Sequence, residues 1–162
     1  MSRRRPAVLL TGPVGVGKTV VAAAIGDLLA EDGVGAAVID LDWLGWLAGA
    51  DGGVDELIVR NLDATWPNYE AAGAERAVLA RSVRDATLIE ALRARFDLAV
   101  VRLTAPDETV AARLSGRDAG TELAEHLAER GTEADVADLE VANDGPPIRD
   151  VAREVLRRVG WT

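Results

Sequence analysis

Residues 7–19 read Ala7-Val8-Leu9-Leu10-Thr11-Gly12-Pro13-Val14-Gly15-Val16-Gly17-Lys18-Thr19. The run from Ala7 to Thr11 is apolar, lacks polar alternation and is bounded by Pro6 and Gly12. That pattern predicts a short strand buried on both faces, as in a parallel sheet. From Thr19 to Ala30, alanine and leucine dominate at helical spacing, and Asp32-Gly33 stops the helix. A second apolar run, Ala36 to Ile39, is closed by Asp40. Strand, loop, helix, turn and strand make a βαβ unit, which is expected to be a right-handed parallel crossover.

Gly12 to Thr19 matches G-x-x-x-x-G-K-[ST] at every fixed position. Glycines let consecutive backbone N–H groups of Gly12, Pro13–Val14, Gly15, Val16 and Gly17 turn around one anion, with proline contributing no donor. The helix that follows adds the positive end of its dipole. Lys18 then reaches the β- and γ-phosphates of a nucleotide, and the Thr19 hydroxyl can ligate Mg²⁺. A glycine-rich turn without a ligand is the plain alternative. Against it stands the lysine itself: arginine outnumbers lysine 17 to 1, and the single lysine is Lys18.

Outward from this unit, Asp42 to Asp55 reads as a helical turn and then a flexible loop. Glu56 to Ala72 predicts a helix interrupted near Trp66-Pro67. Arg76 to Ala80 predicts a third strand, and Asp85 to Arg95 a helix. Leu98 to Leu103 predicts a fourth strand. A helix starts over Pro106 to Leu114, capped by Thr104 or Asp107. After a break at Gly116 to Gly120, Thr121 to Arg130 predicts another helix. Asp138 to Ala142 predicts a fifth strand, and Ile148 to Val159 a terminal amphipathic helix. Strands alternating with helices predict an α/β doubly wound domain.

The chain has 162 residues, 49% of them hydrophobic, which is one domain by the usual size of about 100–200 residues. With no cysteine, a disulfide scaffold, a thiolate zinc site and a cysteine nucleophile are excluded. The one histidine, His126, rules out a multi-histidine metal centre and reads as a surface residue. A net charge of −9 supplies no broad basic face, so nucleic acid is not an expected partner. No apolar run approaches the roughly 18–20 residues of a membrane span. The start is basic and then apolar, but only Ala7 to Leu10 precede Thr11-Gly12, too few for a signal peptide's apolar core. A cytoplasmic protein, monomeric or homodimeric, is expected.

The chain resembles the small P-loop kinases related to nucleoside monophosphate kinases, of the adenylylsulfate, shikimate and gluconate kinase and chloramphenicol phosphotransferase types. The likeness is specific at Gly12 to Thr19 and looser elsewhere. It implies a three-layer P-loop NTPase fold: a five-stranded parallel sheet flanked by helices, with a small helical lid. Residues 1–162 would form one kinase-like domain, with 107–130 as the lid-like segment. It also implies ATP and Mg²⁺ as cofactors, and transfer of the γ-phosphate to a hydroxyl of a small-molecule acceptor.

On that resemblance Asp42 of Asp40-Leu41-Asp42 would hold the acceptor hydroxyl or accept its proton, and Asp40 would hold Mg²⁺ with Thr19. The plain alternative is that Asp40 caps the next helix and Asp42 is simply solvated. Arg113-Leu114-Ser115-Gly116-Arg117-Asp118 resembles the arginine-bearing lid, where Arg117 and Arg113 would clamp the transferring phosphate and Gly116 and Gly120 would hinge. Asn143-Asp144-Gly145-Pro146-Pro147 resembles the segment that packs against adenine, which puts Asn143 and Pro146 among the nucleotide contacts. The third strand runs into Arg81 rather than an acid, which argues against a motor-type ATPase, and no N-K-x-D occurs for a GTPase switch. Arg81 and Arg84 are candidates for an anionic part of the substrate. Trp43, Trp46, Trp66 and Tyr69 are candidates for stacking on an acceptor, or are simply core. Two competing functions remain: a nucleotide-binding regulatory module or slow ATPase without an acceptor, and a toxin-like kinase acting on a cell-wall sugar nucleotide.

Overall fold

Side chains of a strand point alternately to its two faces, and in the first strand both sets are apolar. A computed structural model, which describes residues 3–117 and 135–162, shows where each set goes. Strand β1 (Arg5–Thr11) sends Val8 and Leu10 to one face and Ala7 and Leu9 to the other. All four are fully buried. The first face is covered by α1 (Lys18–Glu31), through Val21, Ile25 and Leu28, and by α6 (Ile148–Arg158), through Val151, Val155 and Leu156. The second is covered by the short α2 (Leu41–Leu44), by α3 (Val54–Ala71) and by α4 (Ala86–Arg95). Their Leu41, Ile58, Leu62, Leu88 and Leu92 form the second core. The result is three layers, each face held by side chains worth about 1.5–3 kcal/mol apiece on burial.

The sheet is parallel throughout and contains five strands among the described residues, in the order β2-β3-β1-β4-β5. Its other members are β2 (Ala36–Asp40), β3 (Arg76–Ala80), β4 (Phe96–Thr104) and β5 (Leu139–Ala142). The chain leaves central β1 for the edge strand β2, returns to β3 beside β1, and then crosses to β4 and β5 on the other side. Strand order reverses at β1, so a crevice opens at its carboxyl end. The loop 12–17 fills that point.

Two expectations need correction. No interruption occurs at Trp66-Pro67: α3 runs through Pro67 to Ala71. Proline removes the N–H that would bond the Asp63 carbonyl, but Asp63 is exposed and its carbonyl can be hydrated. Meanwhile Ile58 and Leu62 are buried and Trp66 packs edge-on to Phe96, ring centres 5.0 Å apart, which holds the helix on the sheet. The second concerns Gly116. The helix α5 (Asp107–Arg117) passes through it, so the expected break does not begin there. Gly120, the predicted helix Thr121 to Arg130 and His126 lie outside the described residues. No described helix is long and apolar enough to cross a membrane.

Candidate active site

The loop between β1 and α1 owes its path to three glycines at positive φ: Gly12 at 135°, Gly15 at 87° and Gly17 at 100°. Close packing adds a second requirement. A Cβ on Gly12 would lie 2.6 Å from the Leu103 carbonyl oxygen, and one on Gly17 would lie 2.5 Å from Asn143 Nδ2. Val16 is fully buried and pins the loop to the core.

Lys18 opens α1 and is almost fully covered. Its Nζ donates to the carbonyls of Gly12 at 3.0 Å and Pro13 at 2.9 Å. The single cation of its kind is thereby held across the mouth of the loop. Thr19 Oγ1 donates to Asp40 Oδ2 at 2.8 Å, which joins the start of α1 to the end of β2. The other oxygen, Asp40 Oδ1, accepts from the Asp42 backbone N–H at 3.0 Å and so caps α2. Asp40 therefore caps a helix and faces the loop at once. Val14, Gly15, Gly17, Lys18, Thr19, Asp40, Asp42, Ser82 and Arg113 line one cavity of about 450 Å³.

Three side chains brace the loop by hydrogen bonds to its carbonyls. Asn143 is buried, and its Nδ2 donates to the Val16 carbonyl at 2.8 Å. Arg113 on α5 donates to the same carbonyl at 3.2 Å and to the Asn143 carbonyl at 2.9 Å. Ser82 Oγ donates to the Gly12 carbonyl at 2.6 Å. Arg113 thus reaches the loop from α5. Arg117 lies one turn further along, and its side chain is outside the described residues. Asn143 meets the loop itself. Pro146 lies apart from it, in a cleft with Val141, Asp150, Glu154 and Arg158.

Thr19 and Asp40 present two hard oxygens in contact at the end of the loop. Mg²⁺ is usually held by one or two such ligands together with phosphate oxygens and water. The pair therefore fits that ion, whereas no cluster of three or more His, Cys, Asp or Glu side chains occurs among the described residues.

Ser82 is shared with a second cavity of about 510 Å³, bordered by Gly53, Asp55, Arg81, Arg84, Thr87 and Leu88. Arg81 joins the two spaces. Its Nη1 lies 2.5 Å from Asp42 Oδ1 and its Nη2 lies 3.1 Å from Asp55 Oδ1. Ser82 and Asp55 carried no motif in the sequence. For Ser82 the one available signal is its place just beyond the carboxyl end of β3, on the ligand edge of the sheet. Trp66 packs in the core against Phe96, and Tyr69 sits near the exposed end of α3. Trp43 and Trp46 stack on each other, with ring centres 5.1 Å apart, and are largely exposed.

The chain matches no family model and no curated protein. Its fold is similar to many solved structures. APS kinase from Mycobacterium tuberculosis, in complex with AMPPNP and APS, is 24% identical at TM-score 0.68, covering 98% of this chain and 99% of that one. The tunicamycin resistance protein of Deinococcus radiodurans is 24% identical at TM-score 0.67, covering 98% of each chain. Shikimate kinase from Acinetobacter baumannii, in complex with shikimate, is 21% identical at TM-score 0.64, covering 96% and 93%. The three-layer α/β P-loop fold expected from the resemblance is the fold of this chain.

Proposed function

We propose that the protein is an ATP- and Mg²⁺-dependent phosphotransferase that moves the γ-phosphate to a hydroxyl of a small-molecule acceptor. One observation carries this reading. A glycine-built anion loop, a lysine, a threonine–aspartate pair and a second aspartate all border a single cavity. The loop amides and Lys18 bind the phosphates, with the α1 N-terminus adding its dipole. Thr19 and Asp40 would hold Mg²⁺, which would supply positive charge to offset the negative charge building on the transferring phosphate. Asp42 orients the acceptor hydroxyl and takes its proton during in-line transfer. Arg113 of α5, with Arg117 as the second candidate, clamps the transferring group, and the rest of the lid expected over 107–130 lies outside the described residues. The cavity beyond Ser82 seats the acceptor. Solved structures of similar fold include kinases of small hydroxyl compounds, which supports the assignment.

A nucleotide-binding regulatory module is the competing reading, favoured by Arg81 standing where β3 would otherwise present an acid. The deciding experiment is a screen of metabolite pools with labelled ATP, read by mass spectrometry. A phosphorylated small molecule establishes the transferase. ATP turnover at background with every pool supports the module.

A further inference from the structure

Lys18 Nζ rests on two carbonyls, and each of them already has a second donor. The Pro13 carbonyl, 2.9 Å from Nζ, also accepts from the Val16 backbone N–H at 3.2 Å. The Gly12 carbonyl, 3.0 Å from Nζ, also accepts from Ser82 Oγ at 2.6 Å. One standby donor belongs to the loop itself. The other is a side chain 70 residues further along the chain.

The backbone on both sides of Ser82 is fixed to the same strand end. The Arg81 N–H donates to the Leu10 carbonyl at 3.1 Å, and the Val83 N–H donates to Thr11 Oγ1 at 3.2 Å. Thr11 is buried, so this attachment lies inside the fold. Ser82 itself lines both the phosphate cavity and the adjoining one. Its hydroxyl therefore holds the start of the phosphate loop from the side where the second cavity begins.

These contacts bear on nucleotide binding. An ammonium has three N–H donors, and Lys18 uses two of them on the loop. Gripping the β- and γ-phosphates draws it off those carbonyls. A covered carbonyl left without a donor is costly, and that cost is subtracted from the phosphate contact. Gly12 is buried, and its peptide with Pro13 is the sensitive one, because proline has no N–H. The polar atom of that peptide is the Gly12 oxygen, which repels a phosphate unless a donor covers it. When Lys18 turns away, Pro13 keeps Val16 and Gly12 keeps Ser82.

Resting on the phosphotransfer reading above, we propose that Ser82 is a positioning residue for the phosphate loop, whose hydroxyl satisfies the Gly12 carbonyl while Lys18 is on the nucleotide. Ser82 touches no phosphate in this role. Its effect passes through Gly12 to Lys18, and it lowers the cost of moving the ammonium from carbonyl to phosphate.

The test is a double-mutant cycle on the binding of a non-hydrolysable ATP analogue with Mg²⁺, measured by calorimetry. Ser82→Ala should weaken binding about tenfold, with the circular dichroism spectrum unchanged. In the Lys18→Ala background no ammonium leaves Gly12, so the same Ser82→Ala change should alter affinity by less than about twofold. Ser82→Thr keeps the hydroxyl and should restore wild-type affinity. Ser82→Cys, whose thiol is a weak donor, stands in if Ser82→Ala does not fold, with a smaller loss in the same direction. An equal loss with and without Lys18 makes Ser82 a structural support only and overturns the inference. Wild-type affinity in Ser82→Ala overturns it too, as does Ser82→Thr binding as weakly as Ser82→Ala. Failure of the wild type to bind the analogue overturns the phosphotransfer reading together with the inference.

Discussion

Thr19 Oγ1 donates to Asp40 Oδ2 at 2.8 Å, and this bond spans the gap between the start of α1 and the edge strand β2. It places a hydroxyl and a carboxylate at the end of the anion loop, while Asp40's second oxygen orders the backbone of Asp42. One side chain thus couples the metal-ligand candidate to the candidate base. Thr19→Val keeps the shape and removes the oxygen. Turnover should fall at least tenfold at low Mg²⁺ and recover in part at high Mg²⁺. A titration of rate against Mg²⁺ concentration checks it.

Lys18→Ala removes the cation that spans the carbonyls of Gly12 and Pro13. Phosphate contacts by a charged donor are worth about 1.5–3 kcal/mol, so ATP affinity should drop by roughly 10–150-fold. The strands and helices do not depend on the ammonium, so circular dichroism should be unchanged. Calorimetry showing equal affinity would remove Lys18 from the site.

Asp42→Asn leaves the size of the side chain intact and removes the proton acceptor. Turnover should fall by about 10²–10⁴-fold while ATP binding changes little. Equal loss of both would make Asp42 a structural or metal-associated residue.

Asn143 is buried and holds the Val16 carbonyl from 127 residues away. Asn143→Ala should cost about 1–2 kcal/mol, or roughly 2–8 °C in melting temperature, because a buried contact is lost behind the loop. It should also weaken ATP binding, since Gly17 packs directly on this amide. Thermal denaturation with and without nucleotide separates the two effects.

Asp63 on α3 accepts two hydrogen bonds from Arg95, at 2.5 and 2.7 Å, and these hold its carboxyl below the usual carboxylate range. A folded-state pKa below the unfolded one means stability that is present above the unfolded value, near 3.9, and lost as pH falls through the folded one. Asp63→Asn should therefore be slightly less stable at neutral pH and match the wild type in strong acid. Urea denaturation at a series of pH values shows whether the two curves converge.

The P-loop unit was legible because its chemistry is local. Eight consecutive residues carry the glycines, the lysine and the threonine, and the apolar run before them already implies a doubly covered strand. The Asp40–Asp42 spacing was legible for the same reason. Arg81 as the partner of Asp42 was not, because the two are 39 residues apart and meet only through the placement of β2 beside β3. Asn143 drew notice as part of a turn, yet its amide braces the loop through a contact that no spacing encodes. The path of α3 through Pro67 is not legible locally, because the packing of Trp66 on Phe96 that holds it comes from a distant part of the chain.

The central claim is that a nucleoside triphosphate lies in the loop of Gly12 to Thr19 with its terminal phosphate toward Asp42. A crystal structure with Mg²⁺ and a non-hydrolysable ATP analogue measures this directly. The account predicts the β- and γ-phosphates against the loop amides, Lys18 turned from the carbonyls of Gly12 and Pro13 onto phosphate oxygens, and the γ-phosphate facing Asp42. An analogue bound elsewhere, or a terminal phosphate directed away from the Asp40–Asp42 edge, would contradict it.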